Sequence, residues 1–240
     1  MSKHIFFDLD KTLTASRTPM ALGHQALFAR LCDIRDVIVV TGGTREQIRE
    51  QITPQFDGRY YILAQSGNQV FSKDGSILRD EKLSEIQLAA IMRCIDLLKK
   101  HFAIQVRDEN DTVENRGAQV AYSVLGFHED VKKKYAFDPD DSRRQAALAT
   151  FTKEREQLLE NGVEVIPAGT TNFSFIPAGR HKGYNVERFR KDMRWEKDDC
   201  AYVGDALFPG GNDESVIGVI PTKSVKNPDD TFIFIKDMLS

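Results

Sequence analysis

The feature that most limits how this chain can fold lies in its first fourteen residues, where the apolar run Lys3-His4-Ile5-Phe6-Phe7 feeds directly into Asp8-Leu9-Asp10-Lys11-Thr12-Leu13-Thr14. A buried strand that ends in two carboxylates one residue apart needs something to meet their charge. In open α/β sheets ligands bind at the carboxyl ends of the strands. There Asp8 and Asp10 are expected to point the same way, with Leu9 turned into protein. Like charges that close repel, so a metal, a proton or a phosphoryl partner is implied. The competing reading of this segment alone is an Asp-rich turn after an edge strand.

The rest of the chain favours the first reading. Apolar, often β-branched runs at Ile5–Asp8, Val37–Thr41, Tyr61–Ala64, Cys200–Val203, Val216–Ile220 and Phe232–Ile235 read as strands. Helical patterns at Met20–Leu31, Thr44–Gln51 and Asn185–Arg190 lie between them. Strands alternating with helices predict βαβ units and a mostly parallel, Rossmann-like sheet. The middle differs. Leu83, Ile86, Ala90, Ile91, Cys94, Ile95 and Leu98 recur at helical spacing, and Arg143–Glu160 reads as a second long helix. Strand patterns at 103–107, 119–125, Val163–Ile166 and Asn172–Ile176 accompany them, with Lys132-Lys133-Lys134 in a solvated connection. An α/β core from 1–79 and 172–240, interrupted by an α+β insert at 80–171, is therefore expected.

Composition narrows the function classes. A net charge of −3 gives no basic surface for nucleic acid or an anionic membrane. No apolar run approaches a membrane span, and the first strand leaves no room for a signal peptide, so a cytoplasmic protein is expected. Cys32, Cys94 and Cys200 are widely spaced in apolar surroundings and read as reduced thiols.

Four separated pieces carry chemistry. In the first, a carboxylate such as Asp8 can attack a phosphoryl group, and a second, Asp10, can protonate the leaving oxygen and later activate water. Thr12 can hold the turn or a phosphate oxygen. The second, Val40-Thr41-Gly42-Gly43-Thr44, sets a hydroxyl and two glycines before a helix, where backbone N–H groups bind anions. Alone it is an ordinary turn. In the third, Arg180-His181-Lys182-Gly183, Lys182 can neutralise a transferring phosphoryl group, although a lone Lys is ordinarily a solvated one. The fourth, Val203-Gly204-Asp205 followed by Gly210-Gly211-Asn212-Asp213-Glu214, suits a hard cation such as Mg²⁺. A Ca²⁺ loop competes, but EF-hand spacing is absent. Asp205 is the expected direct ligand, with Asn212 and Asp213 supporting it from behind.

In this order the four pieces resemble the haloacid dehalogenase superfamily of aspartate-nucleophile phosphotransferases. The resemblance implies Asp8 as nucleophile, Asp10 as acid/base, and Thr41 and Lys182 gripping the phosphoryl group. It implies Mg²⁺ on Asp8, the Asp10 carbonyl and Asp205, and a cap of the IIB type that selects a small phosphorylated metabolite. Gly204-Asp205-Ala206-Leu207-Phe208-Pro209-Gly210-Gly211-Asn212-Asp213 is similar to the long fourth motif of eukaryotic-type phosphomannomutases, and Thr12-Leu13-Thr14-Ala15-Ser16-Arg17 to their Thr-Leu-Thr-x-x-Arg. Glu114-Asn115-Arg116-Gly117 echoes a substrate-binding segment. Arg17 and Arg116 are thereby candidates for a distal phosphate or sugar. A homodimer through the cap is a further expectation of the family.

The departures point elsewhere. Lys11 stands where Gly is usual, Asn172 and Ser174 where mutases carry a Ser and an Asp that hold the sugar, and Phe127 follows Gly126 where an Arg is expected. A mutase must grip a sugar in two orientations, whereas hydrolysis needs only the core and water. The sequence alone therefore favours a Mg²⁺-dependent sugar phosphatase, with a hexose-phosphate mutase as the alternative. A non-catalytic module on the same fold is disfavoured by the intact Asp8/Asp10 pair.

Overall fold

The computed structural model describes residues 2–239; Met1 and Ser240 lie outside the described residues. In chain order the first elements are β1 (His4–Asp8), α1 (Leu22–Ile34), β2 (Asp36–Val40), α2 (Arg45–Ile52), β3 (Tyr61–Ala64), β4 (Gln69–Phe71) and β5 (Ile77–Asp80). Then come α3 (Glu85–Phe102), β6 (Val113–Asn115), β7 (Val120–Ser123), α4 (Val131–Phe137), α5 (Ser142–Thr150), α6 (Thr152–Glu160), β8 (Val163–Ala168) and β9 (Asn172–Pro177). The chain closes with α7 (Lys182–Asp192), β10 (Cys200–Gly204), β11 (Thr222–Ser224) and α8 (Pro228–Met238). It forms two compact units, one from both ends of the chain with its inner limits at Asp80 and Arg180, the other from Glu81 to Gly179.

The first unit is built on a seven-stranded sheet in the order β11-β10-β1-β2-β3-β4-β5. Its first five strands are parallel, and β4 and β5 add antiparallel to one side. Parallel strands are buried on both faces, which is why β1 and β2 read as unbroken apolar runs. Ile5, Phe7, Val37 and Val39 face a core closed by Phe28 and Leu31 of α1, Ile48 and Ile52 of α2, and Phe232 and Ile235 of α8. Phe6, Ile38 and Val40 face the opposite core with Val186 and Phe189 of α7. Each such side chain, fully buried, contributes about 1.5–3 kcal/mol before chain entropy is counted. The Rossmann-like core with a mostly parallel sheet is as expected.

The second unit holds a four-stranded antiparallel sheet, β6-β7-β9-β8, with Val120, Tyr122, Val163, Val165, Phe173 and Phe175 packed on Ile91, Ile95 and Leu98 of α3, Ala147 and Leu148 of α5 and Leu158 of α6. A capping box closes α3, Ser84 accepting from the Gln87 N–H while Gln87 accepts from the Ser84 N–H. Here the expected boundaries shift. The strand Asn172–Pro177 pairs with β7 and β8, so it belongs to the insert and not, as read from sequence, to the core; the division falls between Gly179 and Arg180.

Several elements also differ from the sequence reading. Phe232–Ile235 is helical, because Asn227 caps α8 by accepting from the Asp230 N–H and Pro228 opens its first turn. Val216–Ile220 is a tight turn in which Gly218 has a φ of +83°. Residues 103–107 hold no strand, since Ala103 ends α3 in the left-handed conformation. The long helix at Arg143–Glu160 is two, α5 and α6, broken at Phe151. The lysine run lies in α4 rather than in a connection. No helix among the described residues is long and apolar enough to cross a membrane.

Candidate active site

Register brings the functional residues to one end of the parallel sheet. Asp8 pairs with Val40 of β2, so Thr41 continues past it on one side. Phe7 pairs with Val203 of β10, which sets Gly204 level with Asp8 and Asp205 just beyond. After Asp8 the chain turns tightly, with the Leu13 and Thr14 N–H groups donating to the Leu9 carbonyl at 2.9 and 3.1 Å and Lys11 N–H donating to the Thr14 carbonyl at 2.7 Å. Lys11 sits in this turn at a φ of +60°, a conformation that is disfavoured for a side chain with a Cβ by about 1–2 kcal/mol.

At the strand ends lies a buried network of charge. Lys182, the first residue of α7, donates to Asp8 Oδ1 at 2.5 Å and to Asp213 Oδ1 at 2.7 Å. A cation at a helix N-terminus runs against the helix dipole, so these carboxylates, and not the helix, hold it there. Tyr202 of β10 donates to the same Asp213 oxygen at 2.6 Å, and the Ala206 N–H donates to Asp213 Oδ2 at 3.3 Å. Two glycines permit the approach. A Cβ on Gly204 would lie 2.3 Å from Asp213 Oδ2, and one on Gly183 would lie 1.8 Å from the Ser215 carbonyl oxygen. The Ser215 hydroxyl accepts from the Gly183 N–H at 3.0 Å, tying the start of α7 to the loop that carries Asp213.

Carboxylate oxygens of Asp8, Asp205 and Asp213 all lie within 4.8 Å of one another, close enough to hold one metal ion. Three carboxylates there face the single Lys182 ammonium. Burial, reinforced by the Asp213 and Asp205 charges and only partly offset by Lys182, pushes the Asp8 carboxyl well above its ordinary value. Burial and Asp213 likewise raise Asp205, while Lys11 and Lys182 act in the opposite sense. Burial disfavours the Lys182 ammonium, but Asp213 and Asp8 more than reverse this and hold its pKa above the ordinary value. A set of hard oxygen donors with surplus negative charge fits a hard divalent cation.

The other expected residues fall as follows. Asp10 is not part of the carboxylate cluster: its Oδ1 accepts from the Arg17 N–H at 2.8 Å and from Gln51 Nε2 at 3.3 Å. The Asp10 side chain thus lies outside the carboxylate cluster, held by the turn and by α2. The Thr12 hydroxyl donates to Asp205 Oδ1 at 3.4 Å. Thr41 is buried, its hydroxyl accepting from the Gly43 N–H at 3.2 Å, with Gly42 half-buried between them. Arg17 is exposed, and so is Asn212 beside the buried Asp213. Asp213, expected behind the ligands, is a member of the cluster. Arg116 and Asn172 belong to the other unit. Arg116 is paired with Glu114 at 2.5 Å, and Asn172 begins β9 with a buried side-chain oxygen that has no hydrogen-bond partner. Sequence reasoning missed Tyr202, Ser215 and Gln51. The Tyr in Ala201-Tyr202-Val203-Gly204 offered a signal, being a polar tip inside an otherwise apolar strand.

Comparison with known proteins places the chain. A family profile described as eukaryotic phosphomannomutase matches residues 25–240. The chain belongs to that family. The matched span begins after the Asp8–Arg17 segment, so the assignment does not lean on the first motif. Among curated relatives, phosphomannomutase 2 of Dictyostelium discoideum is 24% identical over 96% of this chain and 94% of its own. The phosphomannomutase of Spinacia oleracea is 25% identical over 94% of this chain and 91% of its own. The family's fold is that of haloacid dehalogenase-like hydrolases: the crystal structure of one from Bacteroides thetaiotaomicron superimposes with a TM-score of 0.63 over 99% of this chain and 100% of that one, at 13% identity. The chain is thus an enzyme of a phosphatase/mutase family.

Proposed function

We propose that this enzyme carries a phosphoryl group on Asp8 and moves it between hydroxyls of a hexose phosphate, acting as a mutase of the phosphomannomutase type. The observation that carries the chemistry is the buried Asp8 carboxylate held 2.5 Å from Lys182 beside Asp205 and Asp213. Relatives matched over nearly their whole length support the mutase over simple hydrolysis. This reverses the preference drawn from Asn172, Ser174 and Phe127.

In the first half-reaction an Asp8 oxygen bonds to phosphorus as the bond to the sugar oxygen breaks. Asp10 gives that oxygen a proton. Its Oδ1 already accepts two N–H groups, so the proton travels on Oδ2. Lys182, steadied by Asp213, meets the charge on the transferring group, and the Thr41 hydroxyl and Gly42 N–H support its oxygens. In the second half-reaction Asp10 takes the proton from the incoming sugar hydroxyl as the Asp8–phosphorus bond breaks. Mg²⁺, held by Asp8, Asp205 and the Asp10 carbonyl, would supply neutralisation of phosphoryl charge. Arg17 is proposed as a ligand for a distal phosphate, and Arg116 and Asn172 of the second unit as residues that select the substrate.

The deciding experiment follows mannose and glucose 1-phosphates by ³¹P NMR with Mg²⁺ and a catalytic amount of hexose bisphosphate. Appearance of the 6-phosphate is the expected result. Steady release of inorganic phosphate without isomerisation would make the enzyme a sugar phosphatase, the reading that neutral Asn172 and Ser174 favour. No turnover with either would reject phosphoryl transfer on these sugars.

A further inference from the structure

Directly after β3 the chain takes three left-handed residues in a row, Gln65, Ser66 and Gly67, with φ of +52°, +61° and +86°. Residues with a Cβ disfavour that conformation, so such a turn persists only where its surroundings fix it. Here each carbonyl of the turn meets a side-chain donor. Asn68 Nδ2 donates to the Gln65 carbonyl at 2.9 Å, Asn185 Nδ2 to that of Ser66 at 2.9 Å, and Arg79 Nη1 to that of Gly67 at 3.3 Å. Two N–H groups of the turn serve the loop expected to bind phosphate: Gln65 N–H donates to the Gly43 carbonyl at 2.9 Å and Ser66 N–H to the Thr41 carbonyl at 2.8 Å. The turn thus holds both ends of Thr41-Gly42-Gly43.

Asn185 joins this turn to α7. It is fully buried three residues after Lys182, and besides the Ser66 carbonyl its Nδ2 donates to the Arg180 carbonyl at 2.9 Å, at the entry to its own helix, with Asn68 Oδ1 at 3.2 Å. Its Oδ1 accepts from Arg79 Nη1 at 3.3 Å. A Cβ on Gly67 would lie 2.5 Å from the Asn185 Cβ, so turn and helix are in close contact. Asn is a weak helix former and its amide is costly to bury, so these bonds, not packing, account for it. We infer that Asn185 is a positioning residue for phosphoryl transfer, tying the Gln65–Gly67 turn, and through it the Thr41 loop, to the start of α7 that carries Lys182. The inference rests on the proposed phosphoryl site and names what keeps its two grips in register.

The test measures kcat and KM of the full-length protein on mannose 1-phosphate with Mg²⁺ and catalytic hexose bisphosphate, counting isomer and inorganic phosphate together, well below every variant's melting temperature. Asn185→Ala is expected to lower kcat about tenfold to a hundredfold, the range for a small misplacement of groups acting on one reacting centre, and to leave KM within about twofold. Asn185→Ala combined with Ser66→Gly recovers part of the lost kcat, because glycine keeps the left-handed turn without its brace. Gly67→Ala, which pushes the turn off α7, shows the same loss and stands in if Asn185→Ala does not melt cooperatively. An unchanged kcat, a loss confined to KM, or a double variant no faster than Asn185→Ala overturns the inference. If wild type turns over nothing, the proposed reaction is rejected, and beryllofluoride binding with Mg²⁺ by titration calorimetry decides instead: about tenfold weaker binding in Asn185→Ala supports the inference. Equal affinity, or no binding by wild type, overturns it.

Discussion

Arg144 and Lys182 are both buried cations held by aspartates, one in each unit, and they differ in what is left over. Every nitrogen of the Arg144 guanidinium is used: Nε donates to Asp138 at 2.7 Å, Nη1 to the Ala168 and Asn172 carbonyls at 2.8 Å each, and Nη2 to Asp141 and the Gly169 carbonyl. Asp138 in turn accepts from the Arg143 and Arg144 N–H groups at the start of α5. That network joins α5 to the β8–β9 turn and closes on itself. Lys182 sits instead among three carboxylates, two of which are pushed above their ordinary pKa. A saturated buried network serves the fold; one left with surplus charge is poised to take a ligand.

The largest effect that would test this contrast is chemical. Asp8→Asn should lower turnover by about 10⁴-fold or more while the circular-dichroism melt remains cooperative. An active Asp8→Asn enzyme would remove the reason for treating the two networks differently. Next comes stability. Arg144→Met leaves Asp138 buried without its partner, and such losses run to about 3–5 kcal/mol. Urea denaturation should show that loss, and a change below about 1 kcal/mol would mean that the Arg144 network is not the staple its geometry describes.

The smallest effect concerns pH. Asp8 and Asp205 have folded pKa values above their ordinary 3.8. Above 3.8 the folded protein therefore holds more protons here than the unfolded chain does, and the site's contribution to stability falls as pH rises through the folded values. Mg²⁺ competes with those protons. The rise in melting temperature on adding Mg²⁺ should grow as pH rises above 3.8 through the folded values, reaching roughly 5 °C at saturating metal. Asp205→Asn should flatten that trend. A Mg²⁺ effect that shrinks with rising pH would contradict the charge balance described.

What could be read from the sequence follows the same division. Asp8 and Asp205 were legible as strand-end carboxylates, whereas Lys182, an ordinary solvated lysine by itself, was legible only through the ordered set of motifs that resembles the family. Asp213 was visible but misplaced, since its bonds to Lys182 and Tyr202 depend on how β10 and α7 meet. Asp10 was expected beside Asp8, yet the turn directs it to Arg17 and Gln51, a contact 41 positions away for the latter. In the second unit Asn172–Ile176 read as a strand beside the insert helices, but the expected boundary at 171 cut it off from them. Only its pairing with β7 and β8 assigns it. Phe232–Ile235 has a strand-like composition, yet Asn227 and Pro228, which precede it in the sequence, start a helix that carries it.

Asp8 and Lys182 stand 174 positions apart. Asp8 lies before the second unit in the chain, and Lys182, Asp205 and Asp213 lie after it. While the chain grows, β1 has β2 beside it but no β10, and Asp8 is an ordinary carboxylate with nothing to aim it. A chain cut short before Arg180 keeps Asp8 but lacks Lys182, Asp205 and Asp213. The interrupted order of the core thus makes the charge network conditional on both segments of the first unit folding together around an insert of their own chain.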